Sequence, residues 1–183
     1  IRLGVTDIGE NKVQEILEKY ERVIPVRWHL IGHLQTNKVK QIIDKVYMIH
    51  SVDSLHLAVE INKRAAQAGI TMRILVQVNA AEEASKFGIP SGETETLIRD
   101  ILEQCPQLLI QGLMFIAPFD DPQNVRPYFA DIKKQFEQLK KIKHPRLDFQ
   151  VLSMGMSNDY EVAIEEGANL VRVGSTIFGT RNY

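Results

Sequence analysis

The chain has little cysteine: Cys105 is the only one among 183 residues. A single thiol excludes a disulfide framework and a thiolate zinc set. Cys105 closes an apolar stripe of Leu97, Ile98, Ile101 and Leu102, where packing accounts for it. Long hydrophobic runs are also missing. No stretch approaches the roughly 18 apolar residues of a spanning helix, so no membrane span is expected. Neither sign of charge is in excess. With 22 Lys and Arg against 23 Asp and Glu, the net charge is −1 and there is no basic block. Nucleic acid is therefore not a favoured partner. Lys38, Lys40 and Lys45 are spread along one predicted helix and read as a solvated face. No signal-peptide pattern opens the sequence, and a cytoplasmic location is expected.

What is present suits one globular domain spanning residues 1–183. Apolar residues make up 44%, enough to fill a core. Apolar runs near Val5–Ile8, Trp28–Ile31, Val46–Ile49, Met72–Val78, Ile110–Ile116, Phe149–Leu152 and Leu170–Val173 predict strands. Helical stripes separate them. The fullest is Val125, Phe129, Ile132, Phe136 and Leu139. Asn158 with Glu161 three residues on resembles a capping box for the helix after the seventh strand. Buried strands alternating with helices imply a parallel sheet covered on its faces.

Glycine punctuates this rhythm. Gly69 and Gly167 each end a helix before a strand, at positions where positive φ is needed. Gly4 makes the same mark with only three residues before it. Together with the absence of an initiator Met, this leads to the expectation of an upstream helix and strand. Seven strand–helix units plus that one make a (β/α)₈ barrel, lacking its first strand and most of its first helix. Such barrels typically run to about 250 residues. An open doubly wound sheet is the alternative. It would usually show a long linker or a Gly-x-Gly-x-x-Gly turn, and neither is present.

In a parallel barrel, function sits on the loops at the C-terminal ends of the strands. Polar residues gather there: Glu10, Asn11 and Lys12; His29, His33 and Gln35; His50, Ser51 and Asp53; Asn79, Glu82, Glu83 and Lys86. Two later turns, at Ser153-Met154-Gly155-Met156-Ser157 and Gly174-Ser175-Thr176, put small and hydroxyl residues where a strand hands over to a helix. Unpartnered N–H groups, glycine and hydroxyls there suit an oxyanion, and barrels often hold phosphate after strands 7 and 8. The same residues also read as ordinary helix N-caps. His29 lies on an apolar strand and is as readily a hydrogen-bonded core histidine as a ligand. A metal site from His29, His33 and His50 lacks carboxylates at a telling spacing, and none is expected. Glu82 and Glu83 read as solvated loop charges. Arg172 lies mid-strand between Val171 and Val173, so it points inward where they point out. A buried guanidinium needs an acceptor.

Gly9-Glu10-Asn11-Lys12-Val13-Gln14-Glu15, Trp28-His29-Leu30-Ile31-Gly32-His33-Leu34-Gln35-Thr36-Asn37-Lys38 and Ser51-Val52-Asp53-Ser54 resemble the pyridoxal-phosphate homeostasis proteins of the YggS/PROSC type. So do Ser85-Lys86-Phe87-Gly88, Leu152-Ser153-Met154-Gly155-Met156-Ser157-Asn158-Asp159 and Arg172-Val173-Gly174-Ser175. The resemblance covers essentially the whole chain in order. It implies the barrel of alanine racemase without the second, β-rich domain, and pyridoxal 5′-phosphate as cofactor. It further implies a role in vitamin B6 and amino-acid homeostasis. By the same resemblance Arg172 would face the pyridine nitrogen. Ser153, Gly174, Ser175 and Thr176 would hold the phosphate, with Asn11 and His29 nearer the ring or the pocket wall. The family's Schiff-base lysine belongs to the first barrel strand and is expected upstream of Ile1.

Three functions compete. The leading expectation is a monomeric carrier or regulator of pyridoxal phosphate without catalytic turnover. The second is a racemase-like enzyme using that cofactor, for which no opposing acid/base tyrosine is expected here. The third is a barrel enzyme acting on a sugar or indole phosphate. It needs a strand-borne acid/base pair, and the strands offer only His29 clearly.

Overall fold

A computed structural model describes residues 3–23, 25–81 and 86–179. Strands and helices alternate as the apolar rhythm predicts. The strands are β1 (Asp7–Glu10), β2 (Arg27–Leu30), β3 (Met48–Val52), β4 (Met72–Asn79), β5 (Ile89–Pro90), β6 (Leu108–Phe115), β7 (Leu147–Met156) and β8 (Leu170–Arg172). The helices are α1 (Val13–Lys19), α2 (Val39–Ile42), α3 (Leu55–Ala68), α4 (Thr94–Gln104), α5 (Pro122–Leu139), α6 (Tyr160–Glu165) and α7 (Ser175–Phe178). Every sheet pairing is parallel, in the order β1-β2-β3-β4-β6-β7-β8, with the two-residue β5 on β4. This is a nearly closed barrel with β1 and β8 at its edges. None of the described strands contains a lysine.

The strands bury residues on both faces. Ile74, Val76 and Val78 of β4 pack with Leu57, Ile61, Ile98 and Ile101 of the helices. Leu75, between them, belongs to a separate cluster with Met48 and Met114, bordered by Tyr47, Ile116 and Val151. That cluster fills the barrel interior, and the period of two along each strand separates it from the outer core. The same alternation turns His29, His50 and Ser153 inward, since Trp28, Leu30, Ile49, Leu152 and Met154 lie in the outer core.

Local chemistry sets the helix ends. Ser54 Oγ accepts from Leu57 N at 3.3 Å and caps α3, and Gly69 closes it with φ 66°. Asp121 caps α5 through Gln123 N at 2.8 Å, with Pro122 in the first turn. The expected stripe of α5 is buried as predicted: Val125, Phe129, Ile132, Phe136 and Leu139. Cys105 is buried at the end of its stripe.

Two local expectations need correction. Asn158 and Glu161 do not form a capping box. Asn158 Nδ2 instead donates to Asp120 O at 3.1 Å, and Asp159 Oδ1 accepts from Met156 N at 2.6 Å, tightening the turn itself. The seventh strand does not stop at Leu152 but runs to Met156. Pairing with β6 and β8 carries it through Ser153 and Gly155, residues that alone read as a turn.

Candidate functional site

The longer β7 moves Ser153 out of the turn and into the strand. Ser153 is fully buried and faces the barrel interior. Arg172, at the end of β8, donates from Nη1 to Ser153 Oγ at 2.7 Å and from Nη2 to Phe115 O at 2.8 Å. The inward guanidinium thus has the acceptors its charge demands. Burial lowers its pKa to about 10, with Asp159 working in the other direction, so it remains a cation at neutral pH.

The turn proper begins at Ser157, which the sequence reading included in the turn but did not assign to the phosphate. Its Oγ accepts from Gly174 N at 3.1 Å and Thr176 N at 3.4 Å. Two main-chain donors from the β8–α7 turn therefore converge on one oxygen, as an oxyanion requires. A Cβ at Gly174 would meet nothing within 4 Å, so the turn is open beside this residue. Ser175 and Thr176 are exposed in the first turn of α7. The signal for Ser157 was its distance from Ser153: four residues further, it falls beyond a strand of ordinary length.

His29 is the buried core histidine of the two readings, and it is not alone. Its Nε2 lies 2.9 Å from Asp7 Oδ1, and its Nδ1 lies 2.9 Å from His50 Nε2. His50 Nδ1 lies 3.1 Å from Ser153 Oγ, although β3 and β7 are not neighbours in the sheet. That contact crosses the barrel. Asp7 Oδ2 also accepts from Arg27 Nη2 at 2.6 Å. Burial pushes both histidines below their usual pKa. For His29, Asp7 opposes this and Arg27 adds to it; for His50, His29 and Arg172 add to it. Burial alone would raise the Asp7 carboxyl, but hydrogen bonds from Arg27, Thr6 and His29 hold it at about 2.

The remaining candidates sit around the mouth. Asn11 is exposed, and its carbonyl would lie 2.3 Å from a Cβ on Gly32, so that glycine lets β1 and β2 close together there. His33 is apart from the other two histidines, stacked on Phe87 at 3.7 Å and 4.0 Å from Asp53. Lys86 Nζ donates to Ala117 O at 2.8 Å. Lys12 precedes α1, and Lys38 ends a 3-10 turn. Glu82, Glu83 and Ser85 lie outside the described residues.

A parallel barrel with an inward arginine on its last strand, next to a turn of convergent N–H groups, defines a class. A family model for the alanine racemase N-terminal domain matches residues 1–182. Solved structures agree. The PipY protein of Synechococcus elongatus PCC7942, with pyridoxal phosphate bound, superposes at a TM-score of 0.87 and 33% identity. That match covers 97% of this chain and 84% of PipY. Alanine racemase of Clostridium difficile 630 superposes at 0.70 over all of this chain and 47% of its own. At 16% identity that likeness shows the fold alone.

Among curated relatives, the pyridoxal phosphate homeostasis protein of Aquifex aeolicus is 44% identical over 183 residues, 98% of this chain and 79% of its own. The human protein of the same name is 38% identical over 192 residues, covering 98% of this chain and 70% of its own. The chain belongs to the pyridoxal phosphate homeostasis protein family.

Proposed function

We propose that this chain binds pyridoxal 5′-phosphate and serves its homeostasis and that of amino-acid pools, without catalytic turnover. The observation that carries this reading is the pairing of an inward arginine on β8 with main-chain donors of the β8–α7 turn that converge on Ser157, just past β7. A relative with that cofactor bound, PipY, supports it. The donor set suits the group. Gly174 and Thr176 N–H, with the hydroxyls of Ser157, Ser175 and Thr176, would take the phosphate. Arg172 would meet the pyridine nitrogen, and Asn11 the pocket wall. Ser153 moves from the phosphate to holding Arg172 in place, and His29 supports it from behind.

Bound there, pyridoxal phosphate supplies an aldehyde and an electron-withdrawing ring. Arg172 holds its proton at neutral pH, so it offers the ring nitrogen a hydrogen bond and not a proton. That keeps the electron sink weak and favours carriage over carbanion chemistry. The racemase reading rests on shared fold, which does not fix function. A single-domain, monomeric, cytoplasmic protein with no nucleic-acid partner completes the proposal. Among the described residues no helix is long and apolar enough to cross a membrane.

Titration with pyridoxal phosphate, followed by absorbance, should show saturable binding of one equivalent. Amino acids incubated with the loaded protein in deuterated water should keep their Cα protons by NMR. Steady exchange would move the protein to the racemase-like alternative.

A further inference from the structure

Five polar side chains cross the barrel in one hydrogen-bonded line: Arg172, Ser153, His50, His29 and Asp7. The two ends fix the direction of the whole line. A guanidinium only donates, so Ser153 Oγ accepts from Arg172. The serine has one proton to give, and His50 Nδ1 is the partner within reach, so that nitrogen accepts. A neutral imidazole with a bare Nδ1 carries its proton on Nε2 and donates to His29 Nδ1. His29 then holds its own proton on Nε2 and donates to Asp7 Oδ1. A carboxylate only accepts, and the line ends there. One arrangement satisfies every donor and acceptor, with both rings neutral.

We propose that His50, backed by His29 and Asp7, is a positioning residue for Arg172. It acts by fixing the hydroxyl of Ser153, so that the guanidinium meets its ligand in one orientation. No member other than Arg172 is asked to touch the ligand. Burial, with Arg27 and Arg172, disfavours a proton on the rings, and Asp7 opposes this at His29. Arg27 bonds Asp7. Tyr47 lies 5.6 Å from the His29 ring and carries the Arg27 and Arg73 guanidinia at 5.0 and 4.5 Å. Arg172 stands at the far end, with Asp159 influencing it. A second proton on His29 would occupy its Nδ1, force His50 to turn its donor toward Ser153, and reverse the line between His29 and Ser153, with His29 still donating to Asp7.

The inference rests on the pyridoxal phosphate reading only for its ligand, and two measurements keep the two apart. In the cofactor-free full chain at neutral pH, nitrogen NMR of the imidazoles should show a bare Nδ1 and a protonated Nε2 in both His29 and His50. A proton on Nδ1 of either ring, or averaged tautomers, would overturn the relay. In pyridoxal phosphate titrations, His50→Phe and Ser153→Ala should each weaken binding about tenfold, the scale of one hydrogen bond to a charged group. Their double variant should lose no more than either single one. His50→Asn keeps an acceptor facing Ser153 and should recover most of the loss. Parental affinity in Ser153→Ala, or additive losses in the double variant, would count against the relay. A parent that takes up no pyridoxal phosphate yet shows both Nε2–H tautomers would support the relay and remove the cofactor reading.

Discussion

Ser153 and Ser157 are four residues apart and do different work. Ser153 sits inside a strand and meets a guanidinium. Ser157 sits past its end and gathers two main-chain N–H groups. Residue type alone does not separate them; strand length does. The distinction is testable at the phosphate end. Gly174→Val adds a side chain where a Cβ has no neighbour within 4 Å, so folding should tolerate it. The open space beside the turn is then filled, and pyridoxal phosphate affinity should fall by about tenfold or more. Ser157→Ala should weaken binding less, because the N–H donors remain. Thermal unfolding should report both variants within about 1 kcal/mol of the parent. Unchanged affinity in Gly174→Val would remove the β8–α7 turn from the binding site.

At the scale of elements, close approach of β6 and β7 governs where Ser153 lands. Gly112 lies at a register shift between these strands, and its φ is 148°. A Cβ there would come within 1.8 Å of Val151 O, a main-chain atom that cannot step aside. Gly112→Ala should therefore push the two strands apart and cost about 3 kcal/mol or more in chemical denaturation. Because Val151 precedes Ser153 by two residues, the same change should disturb the Arg172 cage. A near-neutral Gly112→Ala would mean that β6 and β7 do not meet closely at this residue. Apolar spacing made α3, α4 and α5 legible in advance, since each presents one stripe to one core. The two-residue β5 had no such signal and exists only through its pairing with β4.

At the scale of the molecule, the barrel carries an apolar floor of Met48, Leu75 and Met114 and a polar line beside it. The cost of that line appears as pH dependence. His29 and His50 are held below their usual value of 6.5, so the folded chain declines protons that the unfolded chain accepts. Their contribution is complete above 6.5 and is lost as pH falls below it. The loss is at most about 1.4 kcal/mol per pH unit for each ring. Asp7, held at about 2, adds its own loss only below its ordinary 3.8. The urea midpoint should thus be clearly lower at about pH 5.5 than at about pH 7.5, and His50→Asn should flatten that difference. Equal midpoints for the parent at both pH values would show that the rings are not buried and neutral.

The alternation of the longer strands with helices, the parallel class and the inward Arg172 were written in local chemistry. Period two or 3.6, glycine at helix ends and hydroxyls past strand ends each act within a few residues, so one chain suffices to read them. The line from Arg172 to Asp7 was not readable in that way. His50 and Ser153 are 103 positions apart, on strands that do not pair. His50 read as a loop residue past its strand and Ser153 as part of a turn. Only curvature of the sheet brings their inward faces across the barrel, where each bonds the other and one further member of the line.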